Sequence, residues 1–179
     1  SFEGSHIRGF DWAKGYEYVN DKGEKKKGYF RYWAPGKVIE QDGRYYLYVT
    51  FVKPDEKMGT YVLVADRPDG PFRFAEGKGL SVPGTAEADS PAIVPDIDGE
   101  PFVDEDGKGY IFWRRRFAAR LSDDKLHIEG EPVSIKTARQ GYSEGPLMFK
   151  RKGIYYYVYT LSGHQNYANA YMMRRESQL

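Results

Sequence analysis

Apolar and aromatic residues along this chain come in short bursts cut by turns, and three of the bursts share one grammar. The first runs Trp33-Ala34-Pro35-Gly36-Lys37-Val38-Ile39-Glu40-Gln41-Asp42-Gly43-Arg44-Tyr45-Tyr46-Leu47-Tyr48-Val49-Thr50. The second runs Gly99-Glu100-Pro101-Phe102-Val103-Asp104-Glu105-Asp106-Gly107-Lys108-Gly109-Tyr110-Ile111-Phe112-Trp113, and the third spans residues 144–160 around Lys152-Gly153. Each sets a Pro before a short apolar segment, then a polar turn with Gly, then an aromatic run. Asp42-Gly43 and Asp106-Gly107 are strong hairpin signals, because Gly tolerates the positive φ such turns require. The Tyr, Val, Phe and Ile on either side favour a pleated, half-buried surface. A further strand is expected after each hairpin: residues 60–65, residues 116–121 and residues 169–173.

Recurrent units of hairpin plus strand, unevenly spaced, predict an all-β fold of β-propeller blades with variable loops. A single β-sandwich is the rival architecture. Residues 112–121 could be a helix, since Phe112, Phe117 and Leu121 share a helical face. Trp113 and the run Arg114-Arg115-Arg116 spoil that face, so strand, turn and strand is the expectation. Residues 14–28, polar and bounded by Gly, read as a solvated loop carrying Lys25-Lys26-Lys27.

Composition narrows the classes. The 179 residues hold 27 Lys+Arg against 26 Asp+Glu, so neither nucleic acid nor an anionic membrane is expected as a partner found by bulk charge. No apolar run approaches the roughly 18 residues of a membrane helix. Aromatics at 16% argue against disorder, and the absence of Cys excludes disulfide and thiol chemistry.

Several motifs lack the chemistry they suggest. Asp96, Asp98, Asp104 and Asp106 invite a calcium loop, yet an EF-hand register ending on Gly99 or Gly107 puts Val94 or Phe102 where a ligand must stand. His6, His127 and His164 sit on no metal-ligand spacing. No P-loop, dinucleotide or nucleophile-elbow pattern occurs. No metal and no cofactor is expected of these residues.

Two acids remain, at equivalent places in their repeats. Asp98 and Glu144 each stand just ahead of a Pro and the first apolar strand. In a propeller the first strand of each blade lines the axis, so acids at its entry converge on the axial mouth. That is the geometry of two-carboxylate glycoside hydrolysis. The bland alternative for either residue is a turn-capping or solvated carboxylate.

Trp33-Ala34-Pro35, then Ile97-Asp98-Gly99 with Phe102-Val103-Asp104-Glu105-Asp106-Gly107, then Ser143-Glu144-Gly145-Pro146, resemble in order and spacing glycoside hydrolase family 43. Residues 117–124 resemble the strand and turn that follow in that family's third blade. The resemblance implies a five-bladed propeller and inverting hydrolysis of arabinose- or xylose-containing glycans such as arabinan, arabinoxylan or xylan. It implies Glu144 as general acid and Asp98 as the carboxylate that modulates the acid's pKa. It implies Trp33 as part of a sugar-binding wall, with packing between blades as the competing role. Asp104 and Asp106 match structural turn positions.

One departure stands out. The family's general base is an Asp in the first blade, ahead of the Trp-Ala-Pro element, and Asp11 in Gly9-Phe10-Asp11-Trp12 does not have its setting. Asp11 reads as a loop residue. The chain is therefore expected to be one partial propeller domain: residues 1–29 ending a first blade, 30–80 a second, 90–135 a third and 140–179 a truncated fourth. Such a fragment is expected to hydrolyse little alone and to associate with the missing blades or another copy. A non-catalytic carbohydrate-binding propeller is the alternative function. An extracellular or periplasmic location is expected from the substrate alone.

Overall fold

The structure is a computed structural model that describes residues 13–137, 139, 141–162 and 170–176, the last stretch by its backbone alone. The chain divides into two compact units, Ser1–Asp96 and Ile97–Leu179.

The first unit is built on β5 (Arg44–Val52), whose residues are buried without interruption from Leu47 onward. A strand covered on both faces needs apolar residues at every position, and the run Leu47-Tyr48-Val49-Thr50-Phe51-Val52 comes close to that. It pairs along its length with the equally buried β6 (Met58–Ala65), which pairs in turn with the short β7 (Arg73–Phe74). Leu47, Val49, Phe51, Tyr61, Leu63, Ala65 and Phe72 form the core, each large side chain contributing about 1.5–3 kcal/mol of burial.

The other edge of β5 is shared by two strands, β3 (Arg31–Trp33) and β4 (Val38–Gln41). Trp33 pairs with Thr50 and Val38 with Leu47, so the four residues 34–37 oppose only Tyr48 and Val49. The surplus bulges outward at Ala34, which takes a φ of 38°, and the Gly36 N–H returns to the Tyr48 carbonyl at 2.7 Å. Trp33, just before the bulge, remains 41% exposed.

Residues 14–28 correct the expectation of a loop. They form a hairpin of β1 (Tyr16–Val19) and β2 (Lys25–Gly28). Its turn is organised by Asn20, whose side-chain oxygen accepts from the Lys22 and Glu24 amides, with Gly23 at φ 78°. Tyr16 and Tyr18 alternate with exposed Glu17 and Val19, and Tyr16 meets Phe30 edge to face at 5.2 Å. The three lysines stay in solvent, as their charge requires.

The second unit holds two meanders. One is β8 (Glu100–Val103), β9 (Gly109–Trp113), a 3-10 turn at Arg114–Arg116, β10 (Phe117–Leu121) and β11 (Ile128–Ser134). The other is β12 (Leu147–Arg151), β13 (Ile154–Thr160) and β14 (Ala170–Glu176). The 3-10 turn replaces the helical alternative for residues 112–121. Phe102, Phe112, Ala118, Met148, Tyr157, Tyr159 and Leu161 draw on both meanders to make the second core. The chain is all-β. Its meanders, with successive strands side by side, are propeller blades.

The hairpin turns are of two kinds. Asp42-Gly43 (φ 52° and 74°) and Lys152-Gly153 (51° and 75°) are two-residue turns with both residues left-handed. Asp106-Gly107 sits in a longer loop closed by bonds between Asp104 and Lys108 and between Gly107 and Asp104, with Gly107 alone left-handed.

Candidate active site

The first strands of the two meanders, β8 and β12, are neighbours and run the same way. Asp98 precedes one and Glu144 the other, so parallel strands bring two acids 46 positions apart to the same end. The contact is direct. Asp98 Oδ2 accepts the Gly145 N–H at 3.0 Å, gripping the peptide that carries Glu144. Asp98 is held left-handed at φ 64° and Gly145 at φ 58°, which is how both loops turn sharply enough to meet. A left-handed Asp is tolerable because its short polar chain finds a local partner, here a backbone amide.

Glu144 is anchored from its other side by Thr160, at the end of β13. The Glu144 N–H donates to Thr160 Oγ1 at 3.2 Å, and the Thr160 hydroxyl and N–H donate to the Glu144 carbonyl at 2.7 and 3.0 Å. The Glu144 backbone has little freedom, while its side chain remains half-exposed.

The side chain is held by a tyrosine. The Tyr142 hydroxyl donates to Glu144 Oε2 at 2.9 Å, and Arg114 Nη1 lies 3.5 Å from that hydroxyl. Burial comes first, with the Glu144 carboxylate adding to it, in pushing the Tyr142 phenol above its ordinary value, against Arg114. The phenol keeps its proton throughout the neutral range. The arginine turn closes this side through its backbone: the Arg115 N–H donates to the Ser143 carbonyl at 2.7 Å and the Arg114 N–H to the Ile97 carbonyl at 3.3 Å.

Of the residues singled out in the sequence, Asp98 and Glu144 are brought together. Trp33 belongs to the first unit. It is 41% exposed, with the Arg31 guanidinium 5.2 Å over its ring, so the described surroundings do not make it a core residue. Asp11, His6 and His164 lie outside the described residues. Asp104 stands at the far end of β8, where Lys150 and Tyr155 hold it. Sequence reasoning missed Tyr142, Arg114 and Thr160. Tyr142 had a signal: in extended chain, residues two apart share a side, which places it beside Glu144.

A second polar feature occupies the first unit. Lys53, 7% exposed, bonds both oxygens of Asp89 (3.0 and 2.8 Å) and Ser81 Oγ (3.2 Å). Burial alone would raise Asp89, but Lys53 and Ser81 together hold it below the ordinary carboxylate value. Its charges are matched internally, and it serves to pin the loop that leads to the second unit.

The chain is similar to known proteins over most of its length. The sequence profile of Glycosyl hydrolases family 43 matches residues 10–179. A beta-D-galactofuranosidase of Aspergillus niger is 32% identical over 130 residues, which cover 69% of this chain and 35% of that protein. An arabinoxylan arabinofuranohydrolase of Bacillus subtilis is 28% identical over 155 residues, 73% of this chain and 28% of that protein. A solved structure described as a glycoside hydrolase superposes with a TM-score of 0.66 at 40% identity, over 82% of this chain and 32% of that one. The chain thus spans about a third of the length of the curated relatives it matches.

Proposed function

We propose, on the premise that the chain belongs to glycosyl hydrolase family 43, that it carries the acid side of an inverting glycosidase site for arabinose- or xylose-containing plant cell-wall glycans. The observation that supports this most is the Asp98 grip on the Gly145 amide, which joins the two matched acids at one end of parallel strands. In the proposed reaction Glu144 protonates the glycosidic oxygen as its bond to the anomeric carbon breaks. A water, deprotonated by a carboxylate base outside the described residues, attacks from the opposite face. Asp98 positions the peptide carrying the acid. Adjustment of the acid's proton affinity is proposed as its further role. Trp33 offers an exposed aromatic face of the kind that packs on the C–H side of a sugar.

Both named relatives are furanosidases by name. That favours an arabinofuranosyl group over a xylosyl one as the unit removed. Such polymers lie outside cells, so a secreted or periplasmic enzyme is proposed with the activity.

The test is hydrolysis of arabinosylated xylo-oligosaccharides by the full-length protein, followed by the anomeric form of the released sugar. The expected result is an inverted product, with turnover lowered about 10²- to 10⁴-fold by Glu144→Gln. Sugar binding without turnover would leave a carbohydrate-binding module instead, and turnover indifferent to Glu144→Gln would remove the acid from its role.

A further inference from the structure

We infer that Tyr142 is a positioning residue for proton donation: it holds Glu144 by Oε2, so that the proton delivered to the substrate sits on Oε1. The inference rests on the proposed role of Glu144 and adds to it which oxygen acts and what sets that choice.

A carboxylic acid has two oxygens and one proton, and a general acid works only if the proton is on the oxygen facing the leaving group. A free glutamic acid side chain exchanges the two by rotation. Here the Tyr142 hydroxyl meets Oε2 at 2.9 Å. A phenol can donate or accept, so the direction of this bond must be fixed for it to select one oxygen. Arg114 favours donation. A guanidinium has donors only, and Nη1 at 3.5 Å from the phenol oxygen can use that oxygen solely as acceptor. The positive charge beside the phenol makes its O–H the better donor, and that proton meets Glu144. Oε2 then receives a hydrogen bond, and the acid's proton resides on Oε1.

The same bond favours the transfer. As the proton passes from Oε1 to the glycosidic oxygen, the carbon–oxygen bond breaks and the leaving group departs as a neutral alcohol. Negative charge appears on the carboxylate and spreads over both oxygens. The phenol donor at Oε2 then becomes a charge-assisted bond, stronger in the product of proton transfer than before it. An interaction that strengthens along the reaction coordinate lowers the barrier.

The backbone makes this arrangement durable. Tyr142 is tied through its carbonyl to the Ser162 N–H at 2.8 Å, Ser143 through its carbonyl to the Arg115 N–H at 2.7 Å, and Glu144 to Thr160. Ser143, between the two functional side chains, is 1% exposed. Donor and acid are carried on one clamped segment.

The experiment compares two substrates in the full-length protein. An arabinosylated xylo-oligosaccharide has an alkoxide-type leaving group that must be protonated, whereas 4-nitrophenyl arabinofuranoside releases a phenolate that departs with little help. Tyr142→Phe removes the hydroxyl and keeps the ring. The expected loss in kcat on the oligosaccharide is about 10- to 100-fold, the worth of one hydrogen bond to a charged group, and exceeds the loss on the aryl glycoside about tenfold, with KM nearly constant. Arg114→Met is expected to shift the same ratio in the same direction by a smaller factor. Equal losses on both substrates would show a merely structural tyrosine and overturn the inference. Glu144→Gln separates the two failures. If it shows the leaving-group dependence and Tyr142→Phe does not, only the inference falls. If Glu144→Gln lacks that dependence, the reading of Glu144 as acid falls and the inference with it.

Discussion

The two ends of strands β8 and β12 answer opposite demands with the same residue types. At the far end Asp104 accepts from Lys150 at 3.1 Å, from the Glu105 amide at 2.8 Å and from the Tyr155 hydroxyl, while Glu105 takes a second bond from Lys150 at 2.9 Å. A cation sits between the two carboxylates there and offsets one of their charges. At the near end Asp98 takes a backbone amide and Glu144 a neutral phenol. A carboxyl that must give up and recover a proton cannot be locked to an ammonium at contact distance, and the Tyr142 phenol holds Glu144 instead. The difference separates a staple from the group proposed to work on substrate, although an acid and a tyrosine occur in both.

The largest effect expected from this contrast is on catalysis. Glu144→Gln should cut hydrolysis of unactivated glycans about 10²- to 10⁴-fold with the melting temperature nearly constant. Asp104→Asn should do the reverse, lowering Tm by roughly 2–8 °C and leaving kcat within a factor of about two at temperatures where the protein is folded. Thermal melts and initial rates on the two variants check both halves together.

Asp98→Ala comes next, because it breaks the join between the loops and leaves the Gly145 amide without its acceptor. A drop in kcat of about 10- to 100-fold is expected, corresponding to one lost charge-assisted bond. A loss confined to stability would move Asp98 into the class of Asp104.

The pH dependence sharpens the same division. Burial alone would raise Asp104, but the bonds from Tyr155, the Glu105 amide and Lys150 outweigh it and hold Asp104 below the ordinary carboxylate value. A depressed folded-state pKa contributes stability that is present above the unfolded value. That stability is lost as pH falls through the folded one. The Tm gap between the parent protein and Asp104→Asn should therefore be widest above about pH 4 and close on further acidification. Melts from pH 7 to pH 2.5 would show it. A gap that widens in acid contradicts the staple.

The smallest effect concerns Tyr157, 2% exposed in the second core, whose hydroxyl has no hydrogen-bond partner among the described residues. Burial raises its pKa well above that of an ordinary phenol, so it stays neutral. Tyr157→Phe removes a polar atom that gains nothing there and should be neutral or raise Tm by about 1–3 °C. A clear loss of stability would mean that the hydroxyl has a partner after all.

How much of this was legible in the sequence depends on which groups carry each feature. The hairpins at Asp42-Gly43 and Asp106-Gly107 announce themselves, because a turn that needs a positive φ restricts residue choice. The strand β11 does not. It is exposed along nearly its whole length and contains Gly130 and Pro132, so no apolar alternation marks it, and its pairing with β10 alone makes it a strand. The hairpin at residues 14–28 was hidden in the same way by Lys25, Lys26 and Lys27. Asp98 and Glu144 could be paired from their matched places before Pro and an apolar strand. Their means of contact could not, since the Gly145 amide belongs to the backbone, and every residue but Pro has one. The Lys53–Asp89 pair was equally invisible, its members 36 positions apart with nothing local to connect them.

The central claim is that the near end of β8 and β12 is chemical and the far end structural. It is tested most directly by kcat of the full-length protein on an arabinosylated xylo-oligosaccharide, measured for Glu144→Gln and Asp104→Asn side by side below their melting temperatures. A loss of about 10²-fold or more for the first, against less than about twofold for the second, is predicted. Equal losses in the two variants, or a Glu144→Gln protein that turns over at the parent rate, would contradict it.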